Sequence, residues 1–488
     1  MGGRLVVDLA RARVLVAGLG VSGRAALAAL RTLDPPPDVV TYDERAGDAD
    51  HDDVPDLAGF DLVVASPGLA PGGVLLRAAR EAGVEVWSEV ELAWRLRVDR
   101  AAGDGPAPWL VLTGTNGKTT TVGMLAAILA AAGLRTEAVG NVGTPVVAAA
   151  TDPALDVLAV ELSSFQLHAT SSMAPRAAAV LNLAPDHLDW HGSMEAYGAA
   201  KARIYAGVER ACVYPVGDEV VERMVREAEV QEGARAVGVG TGTPRAGEIG
   251  IVEGLVVDRA FHASDDDPAR QGAAEELATL DDLAHLAGPD GRLARHVVLD
   301  ALAAAALARA QGVPARAVGA GLRAYRPGAH RSELVAVVDG VSWVDDSKAT
   351  NAHAAAAALA GLAPGSVVWV AGGLAKGARF DELVASRADR LRAVVLIGVD
   401  TEPWDDALRR HAPAIPVVRV DPTDTGTVMA RAVDSARRLA PAGATVLLAP
   451  ACASMDQFRS YAHRGEEFVA AVRALDPSGD RGADGSGR

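Results

Sequence analysis

The chain has 488 residues, and 47 Lys and Arg against 63 Asp and Glu give a formal net charge of −16 at pH 7. At about 150 residues per domain this length suggests about three domains, each able to bury its own core, and excludes a small disulfide-stapled module. The acidic balance argues against nucleic acid as a partner, because the mean field of the protein would oppose a polyphosphate.

Short β-branched runs alternate with Ala- and Leu-rich helical stretches along most of the chain, which predicts an α/β fold of parallel sheets covered by helices. We expect a first, Rossmann-like domain at residues 1–104. Its predicted strands are Val14–Ala17, Val39–Tyr42 and Leu62–Ala65, and its predicted helices lie near Arg24–Leu33 and Ser88–Arg97.

A polar, Gly- and Pro-rich stretch, Ala101–Pro108, is the best linker candidate in the first third, so we expect a central domain at residues 105–327. Its predicted strands are Trp109–Leu112, Val157–Val160 and Ala178–Leu181, with helices at Thr119–Ala132 and Met194–Gly207. Between Asp258 and Arg292 the chain becomes acidic and irregular, which predicts a surface excursion rather than a core element.

The turn Arg326–Gly328 marks a second boundary, and a third α/β domain is expected at residues 328–488. Its predicted strands are Val335–Val338, Val367–Val370, Ala393–Ile397 and Thr445–Leu448. The last segment, from about residue 476, has too little apolar surface to order and predicts a disordered tail.

The run Gly18-Leu19-Gly20-Val21-Ser22-Gly23 follows a strand, opens a helix and precedes an acidic residue, Asp43, at the next strand end. This arrangement matches the dinucleotide-binding fingerprint. It suits a nicotinamide dinucleotide, but any nucleotide that carries a pyrophosphate fits the same geometry. A Gly-rich turn needed only for close helix–sheet packing is the alternative.

The strongest local signal is WLVLTGTNGKTTT at Trp109–Thr121, where an apolar strand runs into a glycine loop and then a helix. Gly114 and Gly117 allow backbone N–H groups to face an anion, Lys118 adds a point charge, and Thr119 offers a hydroxyl to Mg²⁺. The loop is shorter than the usual Walker A pattern, because Leu112 stands where the first glycine is expected. We therefore expect ATP binding here, against the alternative of a plain glycine turn.

Glu161 and the pair Asp186-His187 each follow a predicted strand. Ligands of an open parallel sheet gather outside the carboxyl ends of its strands, so Thr119, Glu161 and His187 can converge on one edge. Oxygen ligands suit Mg²⁺, which takes one or two carboxylates together with substrate phosphates. A solvated glutamate and an ordinary polar histidine are the alternative interpretation.

Taken in order, seven segments resemble the Mur ligases: GTNGKTT, ELSSFQL, NLAPDHLDWHGS with AAKARIY, HRSE, DDSKATN, GGLAKGARF and PACASMDQF. The resemblance extends from Gly18 to about Glu467. The phosphate loop is common to all Mur ligases and folylpolyglutamate synthases, whereas DSKATN and CASMDQF resemble the members that add D-glutamate.

The resemblance implies three domains: a Rossmann-like N-terminal domain, a central P-loop ATPase-type domain with a parallel sheet, and a Rossmann-like C-terminal domain. It also implies an ATP- and Mg²⁺-dependent amide ligase that adds D-glutamate to UDP-N-acetylmuramoyl-L-alanine through an acyl phosphate, in cytoplasmic peptidoglycan precursor synthesis. The first glycine motif then becomes a site for the uridine diphosphate part of the substrate.

Site residues are implied by motif match. The catalytic residues would be Lys118, His187, Lys201 and Lys348. The ATP-binding residues would be Gly114, Thr115, Asn116, Gly117, Lys118, Thr119, Thr120, Arg331 and Asp346. The metal ligands would be Thr119, Glu161, His187 and Lys201, the last as a carbamate. The UDP-substrate residues would be Gly20, Val21, Ser22, Asp43, Arg45 and Asn141. The D-glutamate residues would be Lys348, Thr350, Lys376, Ser454, Met455 and Tyr461.

The chain departs from the family pattern at Val297 and Asp300, where asparagines are common, so the contacts to adenine are open. An unmodified, solvated helix lysine is the alternative for Lys201. Three other functions stay open: a Mur ligase for a different amino acid, an NAD-dependent oxidoreductase, and a nucleotide-binding regulator without turnover.

Cys212 and Cys452 are too few for a disulfide framework, which fits a reducing compartment, and the first residues lack a signal-peptide pattern. No apolar run is long enough to cross a bilayer. We expect a cytoplasmic monomer that acts on small molecules.

Overall fold

The computed structural model describes residues 7–263, 270, 272–288, 291–424 and 426–475. The tail predicted from about residue 476 lies outside the described residues. Three sheets of four, nine and six strands are covered by helices, so the predicted α/β class is confirmed. The described parts of Met1–Asp282 and Val297–Tyr325 form one compact unit, and those of Leu283–His296 and Arg326–Arg488 form another. The three domain ranges given above stay a prediction.

The first sheet is parallel, with strand order β2-β1-β3-β4. Its strands are β1 (Arg13–Ala17), β2 (Asp38–Tyr42), β3 (Leu62–Ala65) and β4 (Glu85–Ser88), and its helices are α1 (Val21–Arg31), α2 (Val74–Ala82) and α3 (Glu89–Leu96). Val14 and Val16 of β1 belong to one hydrophobic core, and Leu15 and Ala17 to another. Because successive side chains of a strand point to opposite faces, helices cover both faces of this sheet.

The second sheet has the order β13-β12-β11-β10-β9-β8-β5-β7-β6. Its strands are β5 (Trp109–Thr113), β6 (Thr136–Gly140), β7 (Val157–Glu161), β8 (Ala177–Val180), β9 (Ala211–Pro215), β10 (Arg235–Val239), β11 (Glu248–Val252), β12 (Leu255–Asp258) and β13 (Glu275–Thr279). The pairs from β6 to β11 are parallel, whereas β12 and β13 add antiparallel strands at one edge.

Eight α-helices lie among and after these strands in the described part of the chain. They are α4 (Lys118–Ala131), α5 (Val146–Ala150), α6 (Ser164–His168), α7 (Leu188–His191), α8 (Met194–Ala202), α9 (Glu219–Arg226), α10 (Arg295–Ala310) and α11 (Ala315–Ala324). Within the described part of the chain, no helix combines the length and apolarity that crossing a membrane requires.

The expectation of a surface excursion at Asp258–Arg292 is wrong for its described residues. The segment contains β13, which pairs with β12, and Leu277 and Leu283 are buried. Asp258 is fully buried, and its carboxylate accepts a bond from Arg309 Nε at 2.9 Å. The acidic composition of the segment gave no strand signal, because only two residues of β13, Leu277 and Ala278, are apolar.

The third sheet has the order β14-β15-β19-β16-β17-β18 and is parallel except for the β14–β15 pair. Its strands are β14 (Glu333–Val338), β15 (Val341–Asp345), β16 (Val367–Gly372), β17 (Leu391–Ile397), β18 (Val417–Arg419) and β19 (Thr445–Leu448). Its helices are α12 (Ala352–Ala360), α13 (Asp381–Arg387), α14 (Glu402–His411), α15 (Val428–Leu439) and α16 (Tyr461–Arg473). Val367 and Trp369 enter one core and Val368 and Val370 another, so helices cover both faces here too.

The buried pair of Asp258 and Arg309 gives a test of how the acidic segment is anchored. We expect Arg309→Met to lower the free energy of unfolding by about 3–5 kcal/mol, because it leaves the buried carboxylate without its cation. Urea unfolding measures this. Arg323→Met, which removes an exposed partner of Asp282, is the control and is expected to cost about 0–1 kcal/mol. Equal effects of the two changes would contradict this account of the anchor.

Candidate functional site

The carboxyl edge of the second sheet brings three loops together. Strand β5 pairs with β7 on one side and β8 on the other, all in parallel. The loops that follow these strands therefore begin at the same edge, as the sequence analysis assumed. They carry Gly114–Gly117 after β5, Leu162–Ser163 after β7 and Leu181–His187 after β8.

The loop after β5 has the shape of an anion cradle. Gly117 caps α4 with φ 81°, and a Cβ there would lie 2.3 Å from Asp300 Oδ1, so only glycine fits. Lys118 folds back over the loop, and its Nζ donates to Gly114 O (2.8 Å) and Thr115 O (2.9 Å). The structure thus places the ammonium group, the N-terminus of α4 and the glycine loop around one point.

Two side chains that the sequence analysis did not single out hold this loop in place. The side-chain amide of Asn182 accepts from Asn116 N (2.9 Å) and donates to Asn116 O (3.1 Å), so it bonds both backbone polar groups of this loop residue. The Tyr197 hydroxyl lies 3.1 Å from the hydroxyl of Thr115. The Thr115 hydroxyl also accepts a hydrogen bond from the backbone amide of Ala184 at 3.0 Å. The position of Asn182 just past a strand end was the signal that could have identified it.

Glu161 is the buried carboxylate of the site. It ends β7 with 1% of its surface exposed, and it accepts from Thr119 Oγ1 (2.8 Å) and Asn141 Nδ2 (2.9 Å). Among the described residues no cation lies within salt-bridge distance of it. A buried carboxyl group that accepts only from neutral donors, beside a hydroxyl at the start of α4, offers the hard oxygen ligands that Mg²⁺ prefers. These residues therefore fit a magnesium ion.

Lys201 lies behind the same loop and is 2% exposed. Its Nζ contacts Gly114 O at 2.9 Å and Thr113 Oγ1 at 3.2 Å. Burial, together with repulsion from Lys118, holds the pKa of Lys201 well below its usual value. A lowered pKa favours the neutral form of the amine, which is its nucleophilic form. The alternative of a solvated helix lysine is therefore excluded.

His187 is exposed and stands at the N-terminus of α7 with φ 53°. Its ring packs against Phe165, with 4.7 Å between the ring centroids, and its Nε2 lies 3.6 Å from Asp186 Oδ2. The structure thus joins Thr119, Glu161 and Asn141 directly, whereas His187 lies on the adjoining loop after β8.

In the first sheet, Asp43, which is implied to bind the UDP-linked substrate, holds the glycine motif in place. Asp43 accepts from the backbone amides of Leu19 (2.6 Å) and Arg45 (2.8 Å), and these bonds lower the pKa of its carboxyl group. A Cβ on Gly23 would lie 1.8 Å from Gly18 O, so this glycine allows α1 to pack against the loop. Gly20, Val21 and Ser22 begin α1, with Val21 77% exposed.

A small pocket lies between the first and second sheets, within the first compact unit. Ser66, Pro67 and Ser88 line it from the first sheet, and Phe165, His168 and Trp190 line it from the second. It joins the ends of β3 and β4 to the loops that follow β7 and β8.

In the second compact unit, the motifs HRSE and DDSKATN come together at the start of β14 and the end of β15. His330 Nδ1 and Asp345 Oδ2 are 2.6 Å apart, and Ser332 N donates to Asp346 Oδ1 at 3.1 Å. His330 (φ 65°) and Ser332 (φ 45°) adopt the left-handed conformation, which costs on the order of 1–3 kcal/mol each. The hydrogen bonds of His330 and Ser332 hold the backbone on both sides of Arg331 in place.

His330, Glu333 and Asp345 form the one group of three potential metal ligands among the described residues. A separation of 2.6 Å between Nδ1 and Oδ2 is that of a short hydrogen bond. Gly465 packs so close that a Cβ there would lie 2.2 Å from His330 Nδ1. The cluster is therefore best explained as a hydrogen-bonded support for the HRSE loop.

The residues implied for D-glutamate lie on three neighbouring loops of this unit. Lys348 Nζ is 3.7 Å from the centre of the Tyr461 ring, and Thr350 N donates to Lys348 O at 2.8 Å. An isolated antiparallel bridge between Leu374 and Ala453 joins the loop of Lys376 to that of Ser454. Lys376 and Met455 are exposed, whereas Ser454 is buried.

The lysine count is a signal that the sequence analysis passed over. The chain has four lysines, Lys118, Lys201, Lys348 and Lys376, against 43 arginines. All four are among the implied site residues, two in each compact unit. Lysine carries a compact charge on a group whose pKa shifts readily, and arginine cannot replace it in that role. Confinement of lysine to these positions supports a chemical role for each.

Two family models match the chain: the Mur ligase middle domain over residues 112–260, and the Mur ligase glutamate ligase domain over residues 330–452. The chain is 56% identical to the UDP-N-acetylmuramoylalanine–D-glutamate ligase of Streptomyces avermitilis, over 95% of this chain and 98% of that protein. It is 51% identical to the ligase of the same name from Thermobifida fusca, over 96% of this chain and all of that protein.

Solved structures share the fold at low identity. A UDP-N-acetylmuramate–alanine ligase from Thermotoga maritima matches with a TM-score of 0.53 and 16% identity, over 95% of this chain and 99% of that one. A pseudomurein peptide ligase type C from Methanothermus fervidus matches with a TM-score of 0.54 and 17% identity, again over 95% and 99%.

Asp346 gives a pH-dependent test of the second unit. Burial raises its pKa from 3.8 to about 7, so between these values the folded protein binds a proton that the unfolded chain does not. Its contribution to stability must therefore fall as the pH rises through this range. We expect the free energy of unfolding of the parent, relative to Asp346→Asn, to decrease from about pH 4 to about pH 7. Urea unfolding of both proteins at several pH values measures this, and parallel profiles would contradict it.

Proposed function

The chain belongs to the Mur ligase family, and we propose that it joins D-glutamate to UDP-N-acetylmuramoyl-L-alanine with conversion of ATP to ADP and phosphate. The observation that carries this proposal is the glycine loop with Lys118, set beside the buried Thr119–Glu161 pair. That arrangement suits phosphoryl transfer, and relatives of nearly the same length carry the name of this ligase.

The chemistry follows from the poor reactivity of a carboxylate. An oxygen of the alanyl carboxylate attacks the γ-phosphorus of ATP, and ADP leaves. The amine of D-glutamate then attacks the acyl carbon, loses a proton, and phosphate leaves from the tetrahedral intermediate. An amide, ADP and phosphate result, because the phosphoryl group has converted an oxygen into a leaving group.

The ATP phosphates would lie in the loop Gly114–Thr120, where Lys118 would exchange its bonds to Gly114 O and Thr115 O for phosphate oxygens. Thr119 and Glu161 would hold Mg²⁺, with His187 as a further ligand. The ion would neutralise charge that develops on the transferred phosphoryl group. Arg331 and Asp346, both in the second unit, are proposed to contact ATP phosphate and ribose.

Lys201 is proposed to carry a carbamate. Burial lowers the pKa of its amine, and the neutral form can attack carbon dioxide, forming an N–C bond and releasing a proton. The product replaces a buried amine by a carboxylate-like group behind the phosphate loop. Such a group would add a ligand for Mg²⁺, and the burial of the side chain supports the proposal.

The uridine diphosphate part of the substrate would bind at Gly20, Val21 and Ser22, where α1 presents its N-terminus beside the loop held by Asp43. Arg45 would add a positive charge there. Asn141, which donates to Glu161, would contact the muramoyl part.

D-glutamate would bind in the second unit, on the loops that carry Lys348, Thr350, Lys376, Ser454, Met455 and Tyr461. Two lysines and a buried serine suit a ligand with two carboxylates. We place the reaction in the cytoplasm, where ATP is supplied, and both cysteines are free and buried as a reducing compartment allows.

The test is phosphate release by purified protein with ATP, Mg²⁺, the UDP-linked substrate and a panel of amino acids. We expect D-glutamate alone in the panel to stimulate release. Lys118→Ala is expected to lower the rate by about a hundredfold to a thousandfold, the typical cost of one charge-stabilising group.

Arg135→Ala, which removes an exposed cation of the same unit, is the control and should retain the parent rate. If a different amino acid stimulates release, that amino acid takes the place of D-glutamate in the proposal. Release that is unaffected by every amino acid in the panel would overturn it.

A further inference from the structure

We propose that Arg464 is a positioning residue for the D-glutamate site, in which one buried guanidinium group holds two substrate loops at a fixed separation. The inference rests on the proposed function and extends it to a side chain that the motifs did not mark. Arg464 lies in the first turn of α16 and has no exposed surface.

The contacts of Arg464 span two loops. Its Nε donates to Ser347 Oγ (3.0 Å) and its Nη2 to Ser347 O (2.9 Å), on the loop between β15 and α12. Its Nη1 donates to Cys452 O (3.1 Å), on the loop after β19. Lys348 is the residue after Ser347, and Ser454 follows Cys452 by two positions.

The first turn of α16 touches this region at further points. Ser347 Oγ donates to Tyr461 O at 2.8 Å, and the Tyr461 ring lies beneath the ammonium group of Lys348. The bridge between Leu374 and Ala453 extends the connection to the loop of Lys376. Two loops implied for D-glutamate thus share Arg464 as an anchor, and the third is joined to one of them by the bridge.

Stability alone does not account for an arginine in this place. The partners of its guanidinium group are a hydroxyl and two carbonyl oxygens, and no carboxylate among the described residues forms a salt bridge with it. Asp345 and Asp456 attract it only from a greater distance. Burial of a charge without an ion partner is costly.

The geometry explains what arginine provides. A planar guanidinium presents donors in fixed directions, so it can bond two loops at once. The ammonium group of a lysine carries the same charge at one point, so it cannot bond to the acceptors on Ser347 and Cys452 with the same geometry. The positioning role and a purely electrostatic role therefore predict different results for lysine at this position.

The experiment compares Arg464→Met and Arg464→Lys with the parent in initial-rate kinetics of phosphate release, with each substrate varied in turn. We expect both variants to lose about tenfold to a hundredfold in kcat/KM for D-glutamate, the scale of a misplaced binding group. KM for the UDP-linked substrate, whose proposed site lies in the first unit, should stay at the parent value.

Arg387→Met is the matched control. It removes a guanidinium that donates to Ala356 O in the same unit, away from the three loops, and it should retain the parent kinetics. Ser347→Ala covers the case in which neither Arg464 variant folds. It deletes one hydroxyl, so we expect a folded protein with a smaller loss in the same parameter.

Parent-like kcat/KM for D-glutamate in Arg464→Lys would overturn the proposal in favour of charge alone. A parent-like kcat/KM for D-glutamate in Arg464→Met, together with a lowered Tm, would overturn the proposal in favour of a structural role. If neither arginine variant folds, a parent-like kcat/KM in Ser347→Ala would do the same. Failure of the proposed function is distinct, because the parent itself would then show no phosphate release that depends on D-glutamate.

Discussion

The position of β5 between two parallel neighbours is the constraint on which the candidate site depends. Because β5 pairs with β7 and β8, the glycine loop, Glu161 and the loop of Asn182 must all start at one edge of the sheet. Gly117 then completes the arrangement, since its left-handed backbone and the nearby Asp300 leave no room for a side chain. No other loop of the first unit needs to reach this edge for the phosphoryl transfer proposed here.

The net charge of −16 sets a second condition. ATP, a UDP-linked acid and D-glutamate are all anions, so the mean field of the protein opposes its proposed substrates. Local features must overcome this field. The N-termini of α1 and α4 lie at the two proposed nucleotide sites, and Lys118, Lys348, Lys376 and Arg331 would add positive charge to the proposed sites. The buried Arg464 lies behind the loops proposed for D-glutamate.

Much of this could be predicted from the sequence, because short apolar strands followed by glycine loops leave a local signal. The strand predicted at Trp109–Leu112 and the helix predicted at Thr119–Ala132 were found in that way, each within one residue of its observed bounds, as was Glu161 at a strand end. Such signals fail where a residue acts through distant contacts. Arg464 resembles any helix arginine until the fold brings Ser347 and Cys452 to it. Asp258 was assigned to a surface segment because its partner, Arg309, lies on another element.

The central claim is that ATP activates a carboxylate by phosphorylating it, and oxygen transfer tests this most directly. The alanyl carboxylate of the UDP-linked substrate is labelled with oxygen-18, and the phosphate released with D-glutamate and ATP is analysed by mass spectrometry. The account predicts one labelled oxygen in each released phosphate, because the bond that breaks joins the acyl carbon to that oxygen. Released phosphate without label would contradict it.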